Sequence, residues 1–96
     1  MSTGITVYWA SVSSNIELKK NQQRIKMVLE SQNLQFEYLD ICTDEPAKEA
    51  MKKICAENGV KSQAPQIVNN GKYCGDYNKF DEAVENDELD QFLMLK

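Results

Sequence analysis

Ala64-Pro65-Gln66-Ile67-Val68-Asn69-Asn70-Gly71-Lys72-Tyr73-Cys74-Gly75-Asp76 reads as a short apolar strand, a tight turn and a second short strand. Asn70-Gly71 carries the turn, because two-residue hairpins need positive φ, which asparagine and glycine tolerate. Pro65 has no N–H to give to a ladder, so it belongs at a strand's first residue. It is also a candidate for a cis peptide bond, which would hold the Ala64 backbone in one pose.

Working back from the hairpin, the chain alternates strand and helix. Ile5-Thr6-Val7-Tyr8-Trp9 is β-branched and aromatic, with few polar side chains, and predicts a central strand. After the small residues Ala10 to Ser14, Ser14 and Glu17 have capping-box spacing and predict a helix opening at Ser14. Leu18, Gln22, Ile25 and Leu29 share one face of it, joined by Ile16 and Val28, and it ends about Ser31, near Asn33. Phe36 to Ile41 is the second strand. Thr43 or Asp44 caps a second helix with Pro46 in its first turn and Ala47, Ala50, Met51 and Ile54 inward, and Asn58-Gly59 stops it.

Beyond the hairpin, Asn78 to Glu85 predicts a short helix burying Phe80 and Val84, and Asp87 opens a last one with Leu89, Phe92 and Leu93 inward. Two strand–helix units imply a right-handed crossover and a parallel strand pair, to which the hairpin adds antiparallel strands. The expected architecture is α/β: a four-stranded mixed sheet flanked by helices, in the order β-α-β-α-β-β-α, as one domain over residues 1–96.

Composition narrows the function classes. The 15 acidic residues exceed the 11 basic ones, and a net charge of −4 argues against nucleic acid or an anionic membrane as partner. No apolar run is long enough to span a bilayer, and the first residues lack a signal-peptide pattern. The absence of histidine removes Ser-His and Cys-His catalysis and histidine metal ligation. Cys42, Cys55 and Cys74 form no Cys-x-x-Cys pair, so no metal site is expected and dithiol redox chemistry lacks its usual residues. An odd set of three cysteines fits a reducing, cytoplasmic setting, with the nucleus also open. They read as small, mostly buried hydrophobes, and Cys74 as a candidate edge thiol open to oxidation.

Over nearly its whole length the chain resembles the SH3-domain-binding glutamic-acid-rich-like proteins, a glutaredoxin-related branch with a thioredoxin-like fold. The resemblance rests on Val7-Tyr8, Ser11-Val12 and Asp40-Ile41. It rests most specifically on Pro65-Gln66-Ile67-Val68-Asn69 and Tyr73-Cys74-Gly75-Asp76-Tyr77. Phe80, Ala83-Val84-Glu85 and Phe92-Leu93 fit as well. It implies a small cytosolic adaptor or modulator that has lost the redox motif, hence no catalytic residues.

The resemblance also locates a degenerate site. A working glutaredoxin has its nucleophilic cysteine at the start of the first helix, where the helix N-terminus stabilises the thiolate. The matching place is Ser13, within Ser11-Val12-Ser13-Ser14-Asn15, and Ser13 and Ser14 read first as helix caps. The lysine that would hold a glutathione carboxylate falls at Ala10. At the far end Gly75 remains, Asp76 replaces a second glycine, and Lys79 stands where an acid would be. Glutathione is therefore expected to bind weakly if it binds.

The candidate groove is Ser11, Val12, Ser13, Ser14, Asn15, Ala64, Pro65, Gly75 and Asp76, and its expected occupant a protein or peptide. Asp76 reads first as a turn residue bonding the next amides along the chain. The role of Pro65 stays open between fold and ligand. Tyr8 reads as core, Trp9 as the best candidate for an exposed aromatic. The acids between Asp81 and Asp90 read as a solvated helix face. Pro46 and Pro65 are the only prolines, so no Pro-x-x-Pro ligand for SH3 domains is present. The competing expectation is a degenerate glutathione-binding or weak thiol-redox regulator.

Overall fold

The computed structural model describes residues 4–95. Its elements are β1 (Ile5–Trp9), α1 (Ile16–Ser31), β2 (Phe36–Asp40), α2 (Glu45–Glu57), β3 (Gln66–Asn69), β4 (Lys72–Asp76), α3 (Tyr77–Glu85) and α4 (Leu89–Phe92). The sheet order is β2-β1-β3-β4, with β1 central as its apolar run predicts. β1 pairs with β2 in parallel and with β3 antiparallel, and β3 pairs antiparallel with β4. This is the expected mixed sheet with its flanking helices.

Strand alternation sends successive side chains to opposite faces, and two cores result. On one face Ile5, Val7 and Ile67 meet Ile25 and Leu29 of α1, Phe80 of α3 and Leu93. On the other, Tyr8 and Val68 meet Ala47, Met51 and Cys55 of α2. Burying a side chain such as Ile67 or Phe80 contributes about 1.5–3 kcal/mol. Asn69 carries the first face further: its Nδ2 donates to the Leu93 carbonyl at 2.6 Å, tying the end of the chain to β3. The turn forms as the sequence predicts, with φ of 53° at Asn70 and 79° at Gly71.

Some boundaries differ from the expectation. Asn15, not Ser14, caps α1: its backbone is extended and its Oδ1 accepts the Leu18 N–H at 3.1 Å. Starting the helix at Ile16 puts that side chain roughly 240° around the helix from Gln22, at 100° per residue. Ile16 is accordingly 69% exposed rather than inward. Asp44 is the cap of α2. Asp76 opens α3 at Tyr77, one residue earlier than expected. Pro65 sits just before β3, and its bond to Ala64 is cis.

Candidate functional site

The parallel pairing of β1 and β2 brings the loops after both strands to one end of the sheet. Ile41 N–H donates to Trp9 C=O at 2.8 Å, closing that end. Asp40 then ties the two loops together: its carboxylate accepts the Ser11 N–H at 3.1 Å, the Cys42 N–H at 3.0 Å and the Thr43 hydroxyl at 3.2 Å. Partial burial raises this carboxyl's pKa, but those hydrogen bonds outweigh it and hold the group below its ordinary value. On the other side, Gln22 clamps the chain by accepting the Ala10 N–H at 2.9 Å and donating to the Ala10 carbonyl at 3.0 Å. A glutamine on an apolar helix face is thereby explained, since its amide completes the backbone of the loop it supports.

Between this loop, the Ala64-Pro65 segment and the start of α3 lies a cleft of ≈ 230 Å³. Of the nine expected groove residues, Asn15, Ala64, Pro65 and Asp76 line it. The other five lie outside the lining. Ser11 faces a separate hollow with Trp9 and Tyr38, and Ser14 a shallow one with Ile16 and Lys20. Val12 is 78% exposed on the surface. Ser13 is a local tie, its Oγ accepting the Asn15 N–H at 3.1 Å. Gly75 is buried, and a Cβ there would come within 2.8 Å of the Phe92 ring and 2.9 Å of Lys79 Cβ, so close packing requires glycine. Asp76 caps its helix as read from sequence, Oδ1 accepting the Lys79 N–H at 3.1 Å.

Sequence reasoning missed most of the cleft's polar wall. Glu17, Leu18 and Asn21 come from the first turns of α1, Gln63 and Gln66 flank Ala64-Pro65, and Tyr77 and Asn78 open α3. Gln66 offered a signal: an amide inside an otherwise apolar strand needs polar partners or a cavity. Arg24 fixes the α3 wall, donating to the Tyr77 hydroxyl at 3.0 Å while pairing with Asp81 and, at 3.8 Å, with Glu85. These bonds, the one to Tyr77 foremost, raise its pKa above the ordinary value. Asp81 is thus not simply solvated.

The aromatic and cysteine expectations divide. Tyr8 is core. Trp9 is half-buried instead of free, because Tyr38, which pairs with Val7 and so lies diagonally across the β1–β2 ladder on the same face, stacks its ring at 4.6 Å. Cys55 is fully buried and Cys74 half-buried in the edge strand β4. Burial pushes the Cys74 thiol up to about 11, which keeps it protonated and unreactive at neutral pH. Cys42 departs from the buried expectation: it is exposed, with its Sγ 3.8 Å from the Val12 carbonyl. It therefore stands beside Val12, in the loop after β1.

Comparison with known structures agrees on the fold. The C. albicans actin interacting protein Aip5 superposes with a TM-score of 0.75 at 22% identity, covering 98% of this chain and 91% of that one. The holo form of poplar (Populus tremula x tremuloides) glutaredoxin C1 gives 0.71 at 14%, covering 96% and 84%. A buckwheat glutaredoxin–glutathione complex gives 0.71 at 12%, covering 96% and 77%. At such identities these likenesses establish a glutaredoxin-like, thioredoxin-class fold and nothing finer. Sequence relationship is closer with a Drosophila melanogaster SH3 domain-binding glutamic acid-rich protein homolog, 37% identical over 103 residues and 95% of this chain. The chain matches 64% of that relative's length. The model of the SH3-binding, glutamic acid-rich protein family matches residues 3–96, and the chain belongs to that family.

Proposed function

We propose that this chain is a non-catalytic glutaredoxin-fold adaptor or modulator that takes a protein or peptide segment in the cleft between α1, Ala64-Pro65 and α3. The observation that carries the reading is the cleft itself, lined by Ala64 and Pro65; the resemblance to glutaredoxins assigns the nucleophile's place to Ser13. No hydrogen bond ties the Ala64 backbone to another described residue, so its N–H and C=O are available to pair with an extended segment. The Ser13 hydroxyl stays protonated at neutral pH and no histidine exists to take its proton. Exposed Val12 and Ile16, on the stretch leading into the cleft, offer a protein partner apolar contact.

The names of the relatives mention SH3 domains and actin. A polyproline route to SH3 domains is not open to this chain, since Pro46 lies in the first turn of α2 and Pro65 is buried beside the cleft. Partner binding is tested by selecting from a peptide library with immobilised protein, wild type against Asn78→Trp, which fills the cleft from an exposed position. Peptides retained by the wild type and lost by the variant support the reading; equal retention sinks it. One observation favours the competing thiol-redox reading: the exposed Cys42 thiol lies 3.8 Å from the Val12 carbonyl, in the loop to which the resemblance assigns the nucleophile. Turnover of a glutathione mixed disulfide, abolished by Cys42→Ser, would promote it.

A further inference from the structure

We infer that the occupant of this cleft is basic: a lysine or arginine side chain carried on an extended segment of a partner protein. This rests on the peptide-binding reading and adds the charge of the ligand to it. Glu17 and Asp76 place two carboxylates in the lining, and the remaining polar side chains are mostly amides, with no lysine or arginine among them. Neither acid is in an ion pair among the described residues. The N-termini of α1 and α3 both open here, and each brings roughly half a positive charge, against a full negative charge on each carboxylate. Both first turns also have an amide already capped, Leu18 N–H by Asn15 and Lys79 N–H by Asp76. The balance is negative. Arg24, the cation fixed beside Tyr77, is already shared between Asp81 and Glu85.

Gln66 forms the back of the cleft. It lines the cleft, is 2% exposed, and donates through Nε2 to the Gln63 carbonyl at 2.8 Å. Because that carbonyl only accepts, the amide cannot be turned around, and Oε1 remains a buried acceptor without a partner. That oxygen is sealed from the cleft, so the two carboxylates are what a ligand meets, and they call for N–H donors. Ammonium and guanidinium groups are pure donors, whereas glutathione brings two carboxylates against one ammonium. The volume agrees: ≈ 230 Å³ is under the roughly 300–1,000 Å³ of cofactor and drug pockets, and suits one side chain with its backbone. The chain's net charge of −4 favours approach of a basic partner.

The test is an NMR titration of the full chain with capped pentapeptides identical except for a central lysine, arginine, glutamate or norleucine, and with reduced glutathione. The lysine and arginine peptides should shift the amides of Asn15, Gln66 and Asp76 saturably, and the other three probes should not. Glu17→Gln and Asp76→Asn should each weaken binding about fivefold, the effect of one such charge contact in water, and added salt should weaken it further. Asparagine caps a helix as well as aspartate, so the second variant keeps α3. Binding of the glutamate or norleucine peptide at the cleft as tightly as the lysine one overturns the basic preference and leaves peptide binding standing. Indifference to both neutralising variants overturns it likewise. If no peptide of any charge moves the cleft amides, both inferences fall.

Discussion

The two walls of the cleft are held in place by opposite means. The hairpin wall is part of the core: Pro65, Gln66 and Ile67 are buried, and Gly75 is locked against Phe92 and Lys79. The α1 wall is an exposed loop pinned by side-chain to backbone hydrogen bonds from Gln22, Asp40, Ser13 and Asn15. Packing constrains residue identity at nearly every hairpin position, whereas the loop needs only acceptors at a few points. The hairpin wall is therefore far more constrained in sequence than the loop wall.

If that contrast holds, stability should respond far more to the hairpin than to loop side chains that make no pinning bond. Ile67→Ala, at a fully buried position, should cost about 2–5 kcal/mol, while Val12→Ala should stay within about 0.5 kcal/mol. Urea unfolding midpoints measure both, and comparable losses would break the comparison. Gly75→Ala should come next at about 1–3 kcal/mol, because the new methyl overlaps the Phe92 ring and the Lys79 stem. Had Gly75 been a ligand contact alone, the substitution would change binding and leave stability untouched.

Within the loop, the caps sharpen the picture. Asn15→Ala should cost about 1 kcal/mol by releasing the Leu18 N–H, and Ser14→Ala should cost almost nothing. A larger effect at Ser14 would restore the capping box that its spacing to Glu17 suggests.

Sequence made the hairpin wall legible because its signals are local: Asn-Gly for the turn, proline before the strand, Asp76 before the helix. The helix faces were legible for the same reason, through their periodicity. The cleft's far wall was not, since Glu17, Asn21 and Asn78 look like ordinary exposed polar residues until two helix starts converge. Cys42 was within reach in principle: parallel β1 and β2 must bring the loops at their ends together, so a residue just after Asp40 lies near Val12. Trp9 misled because its partner is set by strand register, which an isolated run of residues does not reveal.

The buried side of the hairpin should also show itself in alkali. Burial raises the Cys74 thiol to about 11 and, with help from Asp76, the Tyr73 hydroxyl to about 12. Both groups favour the folded state only while protonated. Their contribution is complete below the unfolded thiol value of about 8.5 and is lost as pH climbs through the folded values. Unfolding midpoints should be flat from pH 7 to about 8.5 and then fall, less steeply at first in Cys74→Ala. An equal fall in that variant would show that Cys74 does not titrate with folding.

The smallest effect concerns the loop itself. Ser13 Oγ accepts the Asn15 N–H at 3.1 Å, and α1 begins three residues on, at Ile16. A thiolate introduced by Ser13→Cys would meet that N–H and the positive end of a 16-residue helix, so it should titrate below the free value of about 8.5. Site-resolved iodoacetamide rates over a pH series, read by mass spectrometry, should show the new thiol reacting ahead of Cys55 and Cys74 near pH 7. The N-cap position limits the shift, because the Asn15 side chain already occupies the Leu18 N–H. Disulfide reductase turnover should still stay low, since Ala10 supplies no cation and Glu17 and Asp76 repel the carboxylates of glutathione. An unshifted thiol would mean that residue 13 lies outside the helix field. Brisk turnover would mean instead that the cleft accepts glutathione despite its charge, and the contrast between the walls would then not govern what the cleft holds.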